Sequence, residues 1–213
     1  MIEVYNIEAG GFAHAILGMR NSYGSWSLSD TGLKDLEKWD SLKIGKHDLE
    51  LMRKLYRAGT SHRKYLRQIF VCMDIAAPLY WWKQMDTYKI GVTTNSTSTM
   101  HNIADKEFTL DDFSHEHLRR STINALKTFI EAINAEREAY IGEGSPELKG
   151  DKQCWYSIIQ LLPSSYIQLR TVTMNYENAV NIIQQRRGHK LDEWNTFCDI
   201  LLDKLPYLKE IIE

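Results

Sequence analysis

The chain has 213 residues, a length typical of one domain with a sizeable core. Its 26 basic and 28 acidic side chains leave a net charge of -2, which argues against broad binding to nucleic acids or membrane surfaces. No apolar run approaches the ~18 residues of a membrane span. Three scattered cysteines without metal-ligand spacing argue against a disulfide framework or a zinc knuckle and favour a reducing, cytoplasmic location.

The first half of the chain alternates short strands with helices. Its patterns predict a strand over 2–7, a helix over 12–20, a polar turn-rich segment over 21–34 and an amphipathic helix over 48–58. The next predicted strand covers 66–75, because its apolar residues recur at every second position. Pro78 then opens an aromatic helix that is expected to end near Gly91.

The second half is predominantly helical. A long helix is predicted to begin at Ser114 or Ser121, and a further helix covers 153–162. A β-branched strand over 169–174 leads to Asn175, which has the side chain of a helix N-cap. The helix that follows ends at Arg186, and a last helix covers 191–205. This order predicts an α+β fold in a single domain over 1–213.

Several residues have both a functional and a structural interpretation. Arg186 and Arg187 are suited to a phosphate, and they equally suit the negative C-terminal end of a helix. His62 is either a ligand contact or a surface side chain. The hydroxyl-rich segment 93–99 predicts either a binding loop or an exposed one. His115 and His117 form only a weak metal-ligand pair, because they would point to different faces of a helix.

Two segments resemble the flavin-dependent thymidylate synthase family. The stretch 77–84, which reads APLYWWKQ, is similar to the family's Ala-Pro, apolar stretch and Arg-Gln pair. Pro163 is followed twelve residues later by Asn175, and Asn181 and Arg186 come six and eleven residues after that asparagine, as in the family. The stretch 19–22 is also similar to its Ala-Arg-x-Ser motif.

The resemblance implies a helix-rich fold with a small, mostly antiparallel sheet, and a homotetramer with active sites built between chains. It implies FAD as cofactor, folate and NADPH as co-substrates, and transfer of a one-carbon unit to C5 of a pyrimidine nucleotide. The residues that it assigns to substrate are Gln84, Lys89, Thr97 and Arg186, and those that it assigns to the cofactor are His62, Asn175 and Asn181. It identifies no catalytic residue and no metal ligand.

The chain departs from the family in the signature motif itself. The signature's Arg-His-Arg becomes Thr87-Tyr88-Lys89, and its last arginine becomes Thr99. Charge-assisted hydrogen bonds contribute about 1.5–3 kcal/mol each, whereas micromolar binding amounts to about 8 kcal/mol in total. We therefore expect an altered or lost phosphate site in a divergent homologue. The alternatives are a non-catalytic interaction protein that reuses the oligomeric fold, and a hydrolase or metal protein that uses His115 and His117.

Overall fold

The computed structural model describes residues 1–32 and 43–213. Within these ranges the strands are β1 (Glu3–Gly10), β2 (Phe70–Pro78), β3 (Thr93–Ser96) and β4 (Ile167–Asn175). The helices are α1 (Phe12–Asn21), α2 (Lys46–Arg57), α3 (Leu79–Met85), α4 (Arg120–Ile141), α5 (Lys152–Leu161), α6 (Tyr176–Arg186), α7 (Asp192–Lys204) and α8 (Leu208–Ile212). None of the described helices is long and apolar enough to cross a membrane.

The strands form one antiparallel sheet in the order β1-β2-β4-β3. Alternation along β2 buries Val71, Met73 and Ile75 completely or nearly so, whereas Phe70 on the other face is exposed. The helix-rich α+β fold with a small antiparallel sheet is therefore confirmed.

The chain forms two compact units. The first unit comprises 1–3, 75–87 and 95–170, and the second comprises 4–74, 88–94 and 171–213. All four strands contribute residues to both units, β1 through Glu3 alone in the first. The assignment of a single functional domain remains a prediction.

The core of the first unit lies between α4 and α5. Ile133 of α4 and Ile158 of α5 are fully buried beside Phe113. Asn134, a polar residue in this core, receives a hydrogen bond from the backbone N–H of Phe108 at 2.8 Å and donates one to its carbonyl at 2.9 Å. Because both polar groups of the amide are bonded, its burial costs little.

The second unit packs helices α1, α2, α6, α7 and α8 around aromatic side chains. Trp194 and Phe197 of α7 are fully buried. The ring of Phe12 meets the ring of Tyr176 edge-on at 5.5 Å, an arrangement favoured by aromatic pairs. The hydroxyl of Tyr176 donates to the carbonyl of Pro206 at 2.8 Å, so its polar end is also satisfied.

The structure differs from the sequence-based boundaries in several places. Helix α3 ends at Met85 rather than near Gly91, and β2 begins later than predicted because a 3-10 helix occupies Lys64–Gln68. Part of the polar segment after Gly91 forms strand β3, and α8 beyond Pro206 was not predicted. Residues 33 and 34 of the predicted polar segment lie outside the described residues.

Candidate functional site

A cleft of about 450 Å³ lies in the second unit, between the C-terminal end of α1 and the segment 61–68. The polar side chains that line it are Asn21, Ser22, Ser61, His62, Lys64, Arg67 and Gln68. The resemblance to the family includes the stretch 19–22 and His62. Ser22 and His62 are forty residues apart in the sequence. Folding brings these two segments to one cleft.

Two glycines of the second unit allow Gln68 to pack closely against α1. Gly11 precedes α1 with a φ of +90°, and a Cβ there would lie 2.3 Å from the backbone oxygen of Gln68. A Cβ at Gly18 would lie 2.6 Å from the Oε1 of the same glutamine. The positive φ and the close approach explain why glycine is needed at position 11.

Arg20 turns away from the cleft and is buried. Its Nε donates to Asp48 Oδ1 at 2.6 Å, and its Nη1 donates to the carbonyl of Ser25 at 3.1 Å. The other oxygen of Asp48 accepts hydrogen bonds from the hydroxyls of Ser29 and Thr31, at 2.7 and 2.6 Å. This network fixes the end of α1 and so positions Asn21 and Ser22 at the cleft.

The cleft combines positive charge, hydroxyl groups and one exposed aromatic ring. His62, Lys64 and Arg67 are exposed, and the cationic groups of Lys64 and Arg67 can bind phosphate oxygens by charge-assisted hydrogen bonds. The exposed ring of Tyr23 also lines it. Tyr65 lies beneath the cleft and is buried; burial raises the pKa of its hydroxyl, which donates to the carbonyl of Met52 at 2.9 Å. Such a composition suits a ligand with both phosphates and a flat ring.

Helix α6 begins with the cap predicted for it. Asn175 Oδ1 accepts a hydrogen bond from the N–H of Asn178 at 3.0 Å, and Asn178 Oδ1 accepts one from the N–H of Asn175 at 3.1 Å. Asn178 also donates to the carbonyl of Ile90 at 2.8 Å, and the side-chain nitrogen of Asn175 lies near Gly91. Asn181 follows one turn later on α6 and is half-buried.

Arg186 lies between two aromatic rings at the end of α6. The centre of its guanidinium is 4.6 Å from the centroid of Trp194 and 5.4 Å from that of Tyr88. Its Nε donates to the hydroxyl of Tyr88 at 2.9 Å, and that hydroxyl donates to Gln185 Oε1 at 3.0 Å. Tyr88 occupies the position of the histidine in the family's signature, and it orients Arg186. Lys89 follows it and is exposed.

Replacing Tyr88 with phenylalanine should reveal the coupling between its hydroxyl and Arg186. We expect the double-mutant cycle of Tyr88→Phe with Arg186→Met, measured by urea unfolding, to give a coupling free energy of about 0.5–1.5 kcal/mol. Tyr156→Phe, in an exposed ring of α5, is the matched control and should change stability by less than about 0.5 kcal/mol. A coupling near zero would contradict the role of the hydroxyl.

The remaining predicted residues, Gln84 and Thr97, lie in the first unit. Gln84 is half-buried in α3, and its carbonyl accepts the hydroxyl hydrogen bond of Thr87 at 2.7 Å. The N–H and hydroxyl of Thr97 both donate to the carbonyl of Leu169 on β4, at 2.9 and 3.2 Å. These bonds hold Thr97 beside β4.

Arg170 of β4 is a residue that the sequence reasoning missed. Its guanidinium stacks on the ring of Trp82 at 4.3 Å, and its Nη1 donates to Asp86 Oδ1 at 2.7 Å. The available signal was the alternation of β4, which places Arg170 on the same face as the buried residues Val172 and Met174.

The cysteines and His115 have surroundings that fit a structural role rather than a catalytic or metal-binding one. Burial raises the pKa of Cys198 to about 11, and it raises the pKa of Cys154 as well, so neither thiol is activated at neutral pH. His115 Nδ1 lies 2.7 Å from the carbonyl oxygen of Phe113. In the described part of the chain, no group of three or more potential ligands is arranged to hold a metal ion.

Comparison of the fold with solved structures finds close matches over almost the whole chain. The flavin-dependent thymidylate synthase ThyX from Helicobacter pylori, complexed with FAD and dUMP, matches with a TM-score of 0.66 and 17% identity, covering 99% of this chain and 98% of that one. The UMP/dUMP methylase PolB from Streptomyces cacaoi, bound to 5-Br UMP, matches with a TM-score of 0.64 and 12% identity, covering 99% and 92%.

Comparison by sequence gives no such match. No family profile matches the chain, and no curated protein matches it. At 12–17% identity, the likeness to these solved structures establishes a common fold.

Proposed function

The chain has the fold of flavin-dependent thymidylate synthases, and from this premise we propose that it is a divergent flavoenzyme of that type. Its proposed cofactor is FAD, and its proposed reaction is transfer of a one-carbon unit to C5 of a pyrimidine nucleotide, with folate and NADPH as co-substrates. Its nucleotide phosphate site differs from that of the family. The proposed assembly is a homotetramer.

The observation that carries the proposal is the cleft of the second unit. Ser22 and His62 belong to separate segments that resemble the family, and both line this cleft. Lys64 and Arg67 add positive charge beside them, as an FAD diphosphate requires. Tyr23 adds an exposed aromatic ring suited to stacking on a flat ring.

The proposed roles of the remaining residues follow from their polar groups. His62, Asn175 and Asn181 would hold the flavin, which supplies a hydride when bound and reduced. The side-chain nitrogen of Asn175 is directed toward Gly91 while its oxygen caps α6, so the α6 cap and the segment around Gly91 form one supported surface. Polar groups held in this way keep a fixed position for a ligand.

The nucleotide would meet the polar side chains of Gln84, Lys89, Thr97 and Arg186. Arg186 is oriented by Tyr88 and by its stacking on Trp194, so it loses little conformational freedom when it binds an anion. Thr87 and Thr99 carry no charge where the signature has arginine. The phosphate must therefore be held by a different set of cations.

Flavin binding tests the proposed cofactor. We expect purified protein to be yellow, or to quench the fluorescence of added FAD with saturation. His62→Ala should weaken FAD binding by about tenfold, the effect of losing one hydrogen bond that contributes about 1.4 kcal/mol. His101→Ala, which removes an exposed histidine of the first unit, is the matched control and should bind FAD like the parent protein.

The proposal fails if the folded protein is colourless and does not quench FAD fluorescence. Release of the C5 hydrogen from isotopically labelled dUMP or UMP, with reduced flavin and methylenetetrahydrofolate present, tests turnover separately. Bound FAD without any such release would favour the non-catalytic alternative, in which the replaced signature leaves only a binding function.

A further inference from the structure

Arg170 is held rigidly in the first unit by three neighbours. Its guanidinium lies over the ring of Trp82 at 4.3 Å. Its Nε donates to Gln168 Oε1 at 3.0 Å, and its Nη1 donates to Asp86 Oδ1 at 2.7 Å. Gln168 in turn donates to the carbonyl of Thr97 at 2.8 Å. The guanidinium is therefore connected both to the end of α3 and to the segment that contains Thr97.

Among the described residues, the guanidinium is hydrogen-bonded through Nε and Nη1, and its second terminal nitrogen, Nη2, makes no hydrogen bond. The side chain of Arg170 is 14% exposed, and that of its partner Asp86 is 49% exposed. Solvent therefore reaches the ion pair at the end of α3. A guanidinium that is stacked on a ring and bonded through Nε and Nη1 can still offer the N–H donors of Nη2 to an anion, in a fixed plane.

The position of Arg170 matters because of the residues around it. Asp86 directly precedes Thr87, where the signature's first arginine is replaced by a neutral residue. Gln84 and Thr97, both predicted to contact the nucleotide, belong to the same unit as Arg170. Two other cations of this unit are engaged elsewhere, since Lys106 pairs with Asp112 and Arg137 donates to the carbonyl of Ala104.

We propose that Arg170 binds the phosphate group of the pyrimidine nucleotide and replaces the arginines missing from the signature. This inference rests on the proposed function, and it names the residue that distinguishes a nucleotide from a nucleoside. Asp86 and Gln168 orient the guanidinium, Trp82 supports its face, and Nη2 donates to the phosphate oxygens.

A structural role and a phosphate-binding role of Arg170 predict different effects of its replacement on ligand binding. The Asp86 carboxylate is half-exposed and stays solvated without its partner, so removing the charge of Arg170 leaves no buried unpaired charge and should leave the protein folded. A purely structural arginine would affect nucleotide and nucleoside binding equally. A phosphate-binding arginine would affect only the ligand that carries a phosphate.

The test compares binding of UMP and dUMP with that of uridine and deoxyuridine by isothermal titration calorimetry, using FAD-loaded protein. Arg170→Met keeps an apolar stem over Trp82 and removes the charge, and Arg170→Ala removes both. We expect each variant to bind the nucleotides about 10- to 100-fold more weakly and the nucleosides within twofold of the parent protein. Lys127→Ala, in an exposed part of α4, removes one positive charge elsewhere and should change neither affinity.

Three results would overturn the inference. The first is nucleotide binding by both Arg170 variants that equals that of the parent. The second is an equal loss for nucleotides and nucleosides, which indicates a structural role. The third is a parent protein that binds FAD but shows no preference for nucleotides over nucleosides. If the parent binds neither FAD nor any pyrimidine ligand, the proposed function fails together with this inference, so the FAD measurement separates the two failures.

Discussion

Replacing Asp48 with alanine is expected to lower the free energy of unfolding by about 3–5 kcal/mol. Asp48 is completely buried, and the side chain of its partner Arg20 is 4% exposed. The substitution leaves the guanidinium without its counter-charge and removes the acceptor of the Ser29 and Thr31 hydroxyls. Buried groups that lose their partners cost far more than exposed ones. Chemical unfolding in urea measures the change.

Two further variants identify the cause of this loss. Asp199→Ala, an exposed aspartate of α7, should change stability by less than about 0.5 kcal/mol. The double variant Arg20→Met with Asp48→Leu should be markedly more stable than Asp48→Ala alone, because no unpaired charge remains buried. If Asp48→Ala unfolds at the same urea concentration as the parent protein, the ion pair does not stabilise the end of α1.

Replacing Gly11 with alanine is expected to destabilise the second unit by about 2–5 kcal/mol. Its φ of +90° is unfavourable for a residue with a side chain, and the new Cβ would lie 2.3 Å from the backbone oxygen of Gln68. A backbone atom cannot move aside as a flexible side chain can, so α1 and the segment at Gln68 must separate. Because Gln68 lines the cleft, FAD binding should weaken as well.

Gly59 supplies the matched control for this prediction. Its φ is +99°, but a Cβ there would meet no heavy atom within 4 Å. Gly59→Ala therefore measures the backbone strain alone, about 1–2 kcal/mol. The free energy of unfolding is measured in urea for both variants. The amount by which Gly11→Ala loses more than Gly59→Ala is the cost of the close contact between the new Cβ and Gln68. Equal losses would show that the contact with Gln68 contributes nothing.

Local sequence patterns were sufficient for most of the helices. The predicted helix over 12–20 corresponds to α1, and that over 48–58 corresponds to α2. The cap at Asn175 was also predicted, because its side chain and that of Asn178 satisfy N–H groups within one helical turn. Each of these features depends on residues at most a few positions apart, so the sequence alone contains the necessary information.

Strand β3 shows where local patterns fail. Its sequence is almost entirely polar, which predicted a loop. It is a strand because the sheet offers it backbone partners on β4, and side-chain periodicity carries no signal of that pairing. The extra helix α8 after Pro206 was missed for a related reason: its apolar residues Leu208 and Ile211 are buried against a core formed by distant segments.

The composition and helical periodicity of the chain determined its α+β class, its helices and the list of polar residues worth considering. Only the tertiary structure decided which of them act together. It buried Arg20 against Asp48, brought Ser22 and His62 to one cleft, and placed Arg186 between Tyr88 and Trp194. The physical reason is that helix formation and capping are local, whereas pairing of charges and packing of rings join residues far apart in the sequence, whose distances no local pattern records.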